Sequence, residues 1–519
     1  MRLEPVVDHG RLDGKLARYY VLHDATPRGL AAFAQESDEH QRLVEQMLES
    51  ESLMIQMGIA DGAKDGNYGR AMAIYRAIRN TRPSAGDGVL QRLALAISLE
   101  HATPIVQQNP QSASDAPTVV DPVKRYRHYE RALQDGELDP HFARHSVWDL
   151  RFVIDGNEPD ETLAWGRQML RNYRPDHITT KDERWRYVAL VRTDVQYGSQ
   201  EIGHDRADLQ SCQNILMNGG ICGRRAYFGR FILRAFGVPT VARPQRGHAA
   251  LARWTPDGWV VCLGAGWGNG WAIARYNDDL DFLAITQARA TGDDYLRVKR
   301  AQWIGDVYDE PRHFGFRTNK QQRIGFWNDV ALYSQRMIIE RAGAKTLDAV
   351  GEDLAEANES TIKYPLESAE ATEADRQIGV DRNGVITIPA AATSQPTRSS
   401  GKILFLSSGL GGRQLHYSRT GKDQDFEYAF DAPTAGAYGL TMRVVTPGWK
   451  QRLRLSVNGA TSQLDMILPH TVGAWGTTEP IRIELIKGQN VLRFSRQGIQ
   501  QDVAPRGFSI KDLTLTPVR

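Results

Sequence analysis

The chain has 519 residues, of which 41% are hydrophobic and 24% charged, and its formal net charge is +2. This composition is typical of a globular protein with about two to four domains. It excludes a membrane-spanning helix, because no run of about eighteen apolar residues occurs, and the near-neutral charge disfavours a nucleic-acid partner.

The N-terminus and the cysteines indicate the location of the protein and whether it binds a cofactor or a metal. The N-terminus, MRLEPVVDHG, has no apolar stretch after its first charge, so no signal peptide is predicted in this numbering. We expect a secreted or periplasmic protein whose leader is absent from this numbering, and a cytoplasmic location stays open. Three cysteines are too few for a disulfide framework and show no metal-ligand spacing. We therefore expect no cofactor and no metal.

The first 200 residues have a helical pattern. Apolar residues recur at spacings of three and four, as at Ala71, Ile74 and Ile78, which predicts amphipathic helices. Residues 103–122 are rich in Pro, Ser, Gln and Asp and are predicted to form an exposed loop. We assign residues 1–200 to a mostly helical N-terminal region.

A cysteine begins the next predicted helix. Cys222 follows the Gly219-Gly220 pair and starts a segment without proline that ends at Gly237 and Pro239. The helix has one apolar face, formed by Ala226, Phe228, Ile232, Leu233 and Phe236. Because the N-terminus of a helix carries partial positive charge, this position favours a thiolate.

A histidine begins the strand that follows this helix. His248 starts the alternating segment HAALARW, which predicts a strand; the Pro256-Asp257-Gly258 turn and a second strand, WVVCL, come next. A cysteine on a helix and a histidine on a strand form the arrangement of Cys-His hydrolases.

These segments, GGICGRRAYFGRFILRAFGVPTVAR and GHAALARW, resemble the transglutaminase-like superfamily. The resemblance implies that Cys222 is the nucleophile and His248 its base. It also implies an aspartate about four residues after Trp259, where this sequence has no carboxylate. Asn269 or Asp257 could instead orient the histidine, and Gln213 or Asn218 could donate to the oxyanion, as a glutamine does in papain-like enzymes.

The arginines and tryptophans around this motif indicate which class of substrate the protein could bind. Seven arginines and no acids lie between Cys222 and Pro256. They could bind an anionic substrate through Arg224, Arg225 and Arg246, or they could pair with acids from elsewhere, such as the acidic patch at residues 277–282. Trp267 and Trp271, in the following Gly-rich loop, could stack on sugar rings.

The composition changes again after residue 345. Residues 346–400 are acidic, small and polar and are predicted to form a linker. From residue 401 to 519 apolar and polar residues alternate between Gly, Pro and Asn turns, which predicts an antiparallel β-sandwich. Its segments GAYGLTMRV, SVNG, KGQNVLRF and FSIKDLTLTP are similar to sandwich modules that bind carbohydrate in glycan-degrading enzymes. By that resemblance the predicted loop residues Tyr417, Trp449 and Trp475 are candidate glycan-binding residues, although Trp475 could be core and the sandwich could lack a ligand.

Together these segments predict an α+β multidomain protein with a helical N-terminal region, a transglutaminase-like α+β core at residues 201–345 and a C-terminal antiparallel β-sandwich. The function favoured by the sequence is a Cys-His hydrolase or acyltransferase that acts on an amide or ester bond of an anionic or glycan-linked substrate. Two alternatives stay open: a glycoside hydrolase or lyase acting on an anionic glycan, and a non-catalytic glycan-binding protein. The expected partner is a glycan or peptide substrate, with no nucleic acid and no membrane.

Overall fold

A computed structural model describes residues 10–108, 118–270, 278–312, 325–351, 370–499 and 504–518. The chain divides into two compact units, each made of two chain segments. The first unit comprises Met1–Leu163 and Leu233–Glu352, and the second comprises Ala164–Ile232 and Asp353–Arg519. Among the helices of the described ranges, none combines the length and the apolar character that a membrane span requires.

Sixteen α-helices are described in these ranges, with short 3-10 turns between some of them. Their bounds are α1 Asp13–Ala25, α2 Pro27–Gln35, α3 Asp38–Glu49, α4 Glu51–Ile59, α5 Tyr68–Thr81, α6 Gly88–Glu100, α7 Pro122–Gln134, α8 Val147–Ile154, α9 Asp160–Tyr173, α10 Asp176–Thr179, α11 Ala189–Thr193, α12 Ser211–Asn218, α13 Cys222–Ala235, α14 Asp279–Arg289, α15 Tyr295–Val307 and α16 Phe326–Ala342.

Fifteen strands are described in the same ranges. Their bounds are β1 Thr240–Gln245, β2 His248–Thr255, β3 Gly258–Cys262, β4 Gly379–Val380, β5 Ile386–Pro389, β6 Ile403–Ser407, β7 Arg413–Tyr417, β8 Phe426–Ala432, β9 Gly436–Val445, β10 Arg452–Val457, β11 Leu464–Ile467, β12 Gly476–Thr477, β13 Ile481–Leu485, β14 Gly488–Ser495 and β15 Phe508–Pro517.

Helices form most of the first unit. The predicted three-and-four spacing buries Ala71 and Ile78 on α5, while Ile74 is only partly buried. Serine side chains cap the starts of α3, α4 and α8 by accepting hydrogen bonds from backbone N–H groups of the first turn, which have no partner within the helix. The predicted helical N-terminal region is therefore confirmed.

A three-stranded antiparallel sheet, in the order β1-β2-β3, also lies in the first unit. Gln245 pairs with His248, so Arg246 and Gly247 form the two-residue turn between β1 and β2. Gly247 has a φ of 69°, which a two-residue hairpin turn favours and glycine adopts without strain. At the other end of β2, Thr255 pairs with Gly258, which confirms the predicted turn.

The second unit contains an antiparallel β-sandwich. One sheet has the order β11-β10-β14-β8; the other is centred on the paired strands β9 and β15, and β15 also pairs with β5 and β7. Inward-facing residues of both sheets form one apolar core that includes Leu440, Met442, Leu492 and Phe494. The structure thus confirms an α+β multidomain protein with a C-terminal sandwich.

A buried polar cluster joins residues 173–194 to this sandwich. Arg174 donates to Asp176 at 2.9 and 2.7 Å and to Asp194 at 2.7 Å, and all three side chains are almost fully buried. On the sandwich side, His416 of β7 lies 3.0 Å from the hydroxyl of Ser509, which donates to the backbone carbonyl of Tyr173. Burial, followed by the charge of Arg174, lowers the pKa of His416 to about 3.

The compact units differ in extent from the contiguous domains predicted above. Residues 164–232 belong with the sandwich, and the segment 233–352 belongs with the N-terminal helices. Strand β5 lies within the predicted linker and pairs with β15. Another part of that linker, residues 352–369, lies outside the described residues.

Candidate functional site

Cys222 is the first residue of α13, as predicted, and is partly buried, whereas Cys212 and Cys262 are buried. The predicted apolar face of α13 is confirmed, because Ala226, Phe228, Ile232, Leu233 and Phe236 are each no more than 5% exposed. Position 222 therefore presents a thiol at the start of a helix that is anchored by its apolar face.

The turn before Cys222 is held by close packing and a backbone hydrogen bond to Gln196, within the second unit. Gly219 has a φ of 74°, and a Cβ atom there would lie 2.2 Å from the carbonyl oxygen of Gln196, so a larger residue would not fit. The N–H of Gly220 donates to that same carbonyl at 3.0 Å. The Gly-Gly pair thus fixes the path of the chain into α13.

The two predicted oxyanion donors have partners of their own. Gln213 is the third residue of α12, and its side-chain oxygen accepts from the N–H of Gln210 at 3.0 Å in a capping box. The side-chain amide of Asn218 donates to Asp205 at 2.9 Å. Gln213 and Asn218 thus have structural roles at the two ends of α12.

The predicted substrate arginines differ in environment. Arg224 forms a bidentate pair with Asp205 at 2.8 and 3.2 Å. Arg225 is fully buried, donates to the backbone carbonyl of Val195 and lies over the ring of Tyr197. Because Arg225 is buried, the prediction that it contacts substrate is wrong. Arg246 is exposed in the turn between β1 and β2.

His248 is partly buried at the start of β2, and its ring is held by a backbone group. Its Nε2 lies 2.7 Å from the carbonyl oxygen of Leu263. Because a carbonyl can only accept, Nε2 must carry the proton of this bond, so in the neutral ring Nδ1 is the unprotonated atom. The structure thus leaves Nδ1 as the basic atom of His248.

Leu263 stands at the position where the superfamily resemblance places an aspartate. It has a φ of 62°, in the left-handed region that non-glycine residues rarely adopt. Its N–H donates to Val350 at 3.0 Å, and Val350 donates in turn to Val261 at 2.9 Å. The described hydrogen-bond partner of the His248 ring is therefore a main-chain carbonyl. The sequence did not predict this hydrogen bond, because every residue has a backbone carbonyl and only the conformation of the chain determines which carbonyl faces His248.

The Gly-rich loop that follows is fixed by a buried ion pair. Arg243 and Asp279 are both fully buried and bonded to each other, with one N–O distance of 2.8 Å. Arg243 donates to the carbonyls of Ala265 and Gly266 at 2.8 and 2.7 Å. Burial lowers the pKa of Arg243, while its bond to Asp279 acts in the opposite direction. The sequence signal for this pair was the acidic patch at 277–282, and its predicted pairing with the arginines is confirmed for Arg243.

Three predicted residues lie on or beside this loop. Asn269 is exposed, and its amide donates to the carbonyl of Gly266 at 2.9 Å, whereas the described partner of His248 is the carbonyl of Leu263. Trp267 is partly buried, with the guanidinium of Arg243 at 5.6 Å from its ring centre. Trp271 lies outside the described residues.

The aromatic residues predicted for the sandwich fall into two groups. Tyr417 is fully buried in β7 and stacks on Phe508 at 5.0 Å, so the prediction that it binds glycan from a loop is wrong. Its side chain belongs to the apolar core of the sandwich, and burial raises the pKa of its hydroxyl.

Trp449 and Trp475 are both partly buried and lie between strands. The guanidinium of Arg206 lies 5.6 Å from the ring centre of Trp449, and the ammonium of Lys450 lies 4.8 Å from it. Arg206 is itself held by Asp208 in a bidentate pair at 2.9 and 2.6 Å. Trp449 is thus in contact with cations of its own unit, and Trp475 remains a candidate.

Comparison with solved structures finds proteins similar to parts of this chain. The C-terminal CBM6 of LamC, a laminarinase from Zobellia galactanivorans, is 17% identical over 26% of this chain and 99% of its own, with a TM-score of 0.20. The CBM35 from Cellvibrio japonicus Abf62 is 23% identical over 26% of this chain and 93% of its own, with a TM-score of 0.21.

A larger protein also matches in part. The GH26-CBM35 β-(1,4)-mannanase of Podospora anserina is 16% identical over 27% of this chain, with a TM-score of 0.21, and the match spans 28% of the mannanase. No family model matches the chain, and no curated protein matches it.

Proposed function

We propose that the protein is a transglutaminase-like Cys-His hydrolase or acyltransferase that acts on an amide or ester bond of an anionic or glycan-linked substrate. The observation that supports this most directly is the bond from His248 Nε2 to the Leu263 carbonyl. In this function Cys222 is the nucleophile and His248 the base.

The hydrogen bond from His248 Nε2 to the Leu263 carbonyl determines which ring nitrogen acts as the base. With Nε2 as donor, Nδ1 can take the proton of the thiol; the sulfur then attacks the carbonyl carbon of the substrate to give a tetrahedral intermediate. The imidazolium returns this proton to the leaving nitrogen or oxygen, and an acyl-enzyme forms. Water completes hydrolysis, or an amine completes transfer.

The neutral partner should limit the rate. A triad carboxylate holds the histidine in the correct tautomer and stabilises the imidazolium that forms in the reaction. Replacing the carboxylate of a serine-protease triad by an amide lowers kcat by about 10⁴, because the histidine then adopts the wrong tautomer. The Leu263 carbonyl keeps the correct tautomer but adds no negative charge, so we expect turnover below that of enzymes with a full triad.

Acyl-enzyme formation tests this function. The protein is incubated with p-nitrophenyl acetate, and the Cys222 peptide is examined by mass spectrometry for an acetyl group. We expect acetylation of Cys222 in the wild type, none in Cys222→Ala, and a large decrease in its rate in His248→Gln.

Cys212 and Cys262 are internal controls, but because both are buried, a lower reactivity there would prove little. The decisive comparison is wild type against His248→Gln, in which the thiol itself is unaltered. Equal acetylation of Cys222 in the two proteins would overturn the proposed role of His248.

A second candidate is a polysaccharide lyase, and the exposed position of Arg246 next to His248 favours it. In that chemistry Arg246 would bind the carboxylate of a uronate residue, and Nδ1 of His248 would remove the proton from C5. The electron pair would form a C4–C5 double bond, while the glycosidic oxygen leaves C4 and takes up a proton. Ultraviolet absorbance of the unsaturated product, formed by Cys222→Ala as well as the wild type, would distinguish this reaction from acyl transfer.

A further inference from the structure

At the end of β2 opposite His248, the first unit has a cleft with a volume of about 570 Å³. From His248 to Trp254 the strand advances by about 20 Å, at roughly 3.3 Å per residue. The cleft is therefore separate from the histidine site. Its volume is within the roughly 300–1,000 Å³ of small-molecule sites.

An aromatic ring forms one wall of the cleft. Trp254 is partly buried at the end of β2. Its ring packs almost perpendicular to that of His145, with 4.6 Å between centroids, so the indole is fixed in place. A fixed indole offers a flat apolar surface on which the C–H face of a sugar ring can stack at little entropic cost.

The charges around this ring are mixed. Two cationic side chains, Arg144 and Lys345, and two acidic ones, Asp149 and Asp257, line the cleft. A third cation, Arg289, donates to the carbonyl of Ile59 and pairs with Asp61 at 3.0 Å, so its charge is balanced within the protein. The four remaining groups balance one another in formal charge.

The lining also offers both donors and acceptors. One oxygen of Asp149, Oδ2, accepts both bonds from Ser146, and within the described residues no donor is bonded to Oδ1. The amide nitrogen of Gln287 donates to the carbonyl of Lys345 at 3.3 Å, which leaves its oxygen as an acceptor. Sugar hydroxyls both donate and accept, so they match this mixture better than a carboxylate or a phosphate would.

From the fixed indole, the balanced charges and the mixed donors and acceptors, we infer that this cleft binds an uncharged saccharide. The inference does not depend on chemistry at Cys222 or His248. It also places a sugar site in the first unit, apart from the aromatic residues of the sandwich.

Isothermal titration calorimetry with cellotriose, β-1,4-mannotriose, laminaritriose and trigalacturonate tests the inference. We expect at least one neutral trisaccharide to bind more tightly than trigalacturonate. Trp254→Ala should weaken that binding by about tenfold or more, Trp254→Phe should weaken it less because a smaller aromatic face remains, and Lys345→Ala should weaken it severalfold.

The matched control is Trp327→Ala, which removes a partly buried tryptophan of α16 in the first unit that does not line the cleft. Circular dichroism and the Tm of each variant establish that it is folded. Failure of all three neutral sugars to bind, tighter binding of trigalacturonate, or loss of binding in Trp327→Ala with retention in Trp254→Ala would each overturn the inference. Because binding is the readout, the result is independent of whether acyl transfer is found.

Discussion

Arg243 and Asp279, both fully buried, form an ion pair that also bonds four backbone groups of the loop from Gly264 to Gly270. The arginine satisfies two carbonyls, and the aspartate accepts from the N–H groups of Gly268 and Gly270, each at 3.1 Å. A loop so rich in glycine loses much conformational entropy when it is ordered, and the ion pair supplies the bonds that keep it ordered.

Removing one partner of this pair should therefore be costly. Asp279→Ala leaves a buried guanidinium without its counter-charge, and we expect a loss of about 3–5 kcal/mol in the free energy of unfolding, measured with urea. The double variant Arg243→Met/Asp279→Ala should lose less than the sum of the two single variants, since no unpaired charge remains. Strict additivity would show that the two side chains act separately.

The tautomer of His248 can be measured without any substitution. Nitrogen-15 NMR of the imidazole, recorded above the pH at which the ring protonates, should show a proton on Nε2 and none on Nδ1, because the Leu263 carbonyl can only accept. A neutral ring protonated on Nδ1 would contradict both this bond and the proposed role of the histidine.

The buried cluster around His416 should make stability depend on pH. The pKa of His416 is about 3 in the folded protein and 6.5 in the unfolded chain, so between these values the unfolded state binds a proton that the folded state lacks. Stability is therefore fully present above pH 6.5 and is lost as the pH falls toward 3, by about 1.4 kcal/mol per pH unit for one proton.

Urea unfolding at several pH values between 7 and 4 checks this slope. His416→Asn keeps a polar side chain without the titrating ring, and it should reduce the slope by about one proton. An unchanged slope in this variant would assign the pH dependence to other groups, such as the buried His177, whose pKa is also lowered by burial.

Close packing between α9 and the sandwich gives a further prediction. Gly473 has a φ of 88°, and a Cβ atom there would lie 2.4 Å from the side chain of Met169. Gly459, with a φ of 72°, has open space around its Cβ position. We expect Gly459→Ala to cost about 1 kcal/mol through backbone strain alone, and Gly473→Ala to cost about 1–3 kcal/mol more through overpacking.

The two alanine variants share the backbone penalty, so the difference between their Tm values isolates the contact with Met169. Equal Tm values would mean that α9 can move away from Gly473 at little cost. Met169→Ala combined with Gly473→Ala should then be compared. It removes the contact with Cγ at 2.4 Å but keeps the contact with Cβ of residue 169 at 2.8 Å, so we expect only part of the lost stability to return.

Periodicity made much of this fold predictable. The apolar face of α13, its end shortly before Gly237 and the hairpin of β2 and β3 follow from the spacing of apolar residues and from turn residues. Strand β5 was missed because only four residues pair in it, within a segment of small and polar composition. A short strand has too few alternations for its pattern to be distinguished from a linker.

The candidate site was less predictable. A sequence pattern places charges but does not show which of them are buried, so Arg225 was assigned to substrate although its guanidinium bonds a backbone carbonyl inside the protein. Tyr417 was assigned to a loop, although it is the last residue of a strand. In both cases the residue type suggested binding, and tertiary packing determined the actual role.

The carbonyl of Leu263 has a consequence for how this histidine site can vary. No substitution at position 263 deletes the carbonyl oxygen that bonds His248, so this bond does not depend on the identity of the buried side chain at that position. The bond depends instead on the position of Val350, because the N–H of Leu263 donates to the carbonyl of Val350. An insertion or deletion near residues 343–350 would rotate the peptide and alter the chemistry of the imidazole while every residue around it stayed the same.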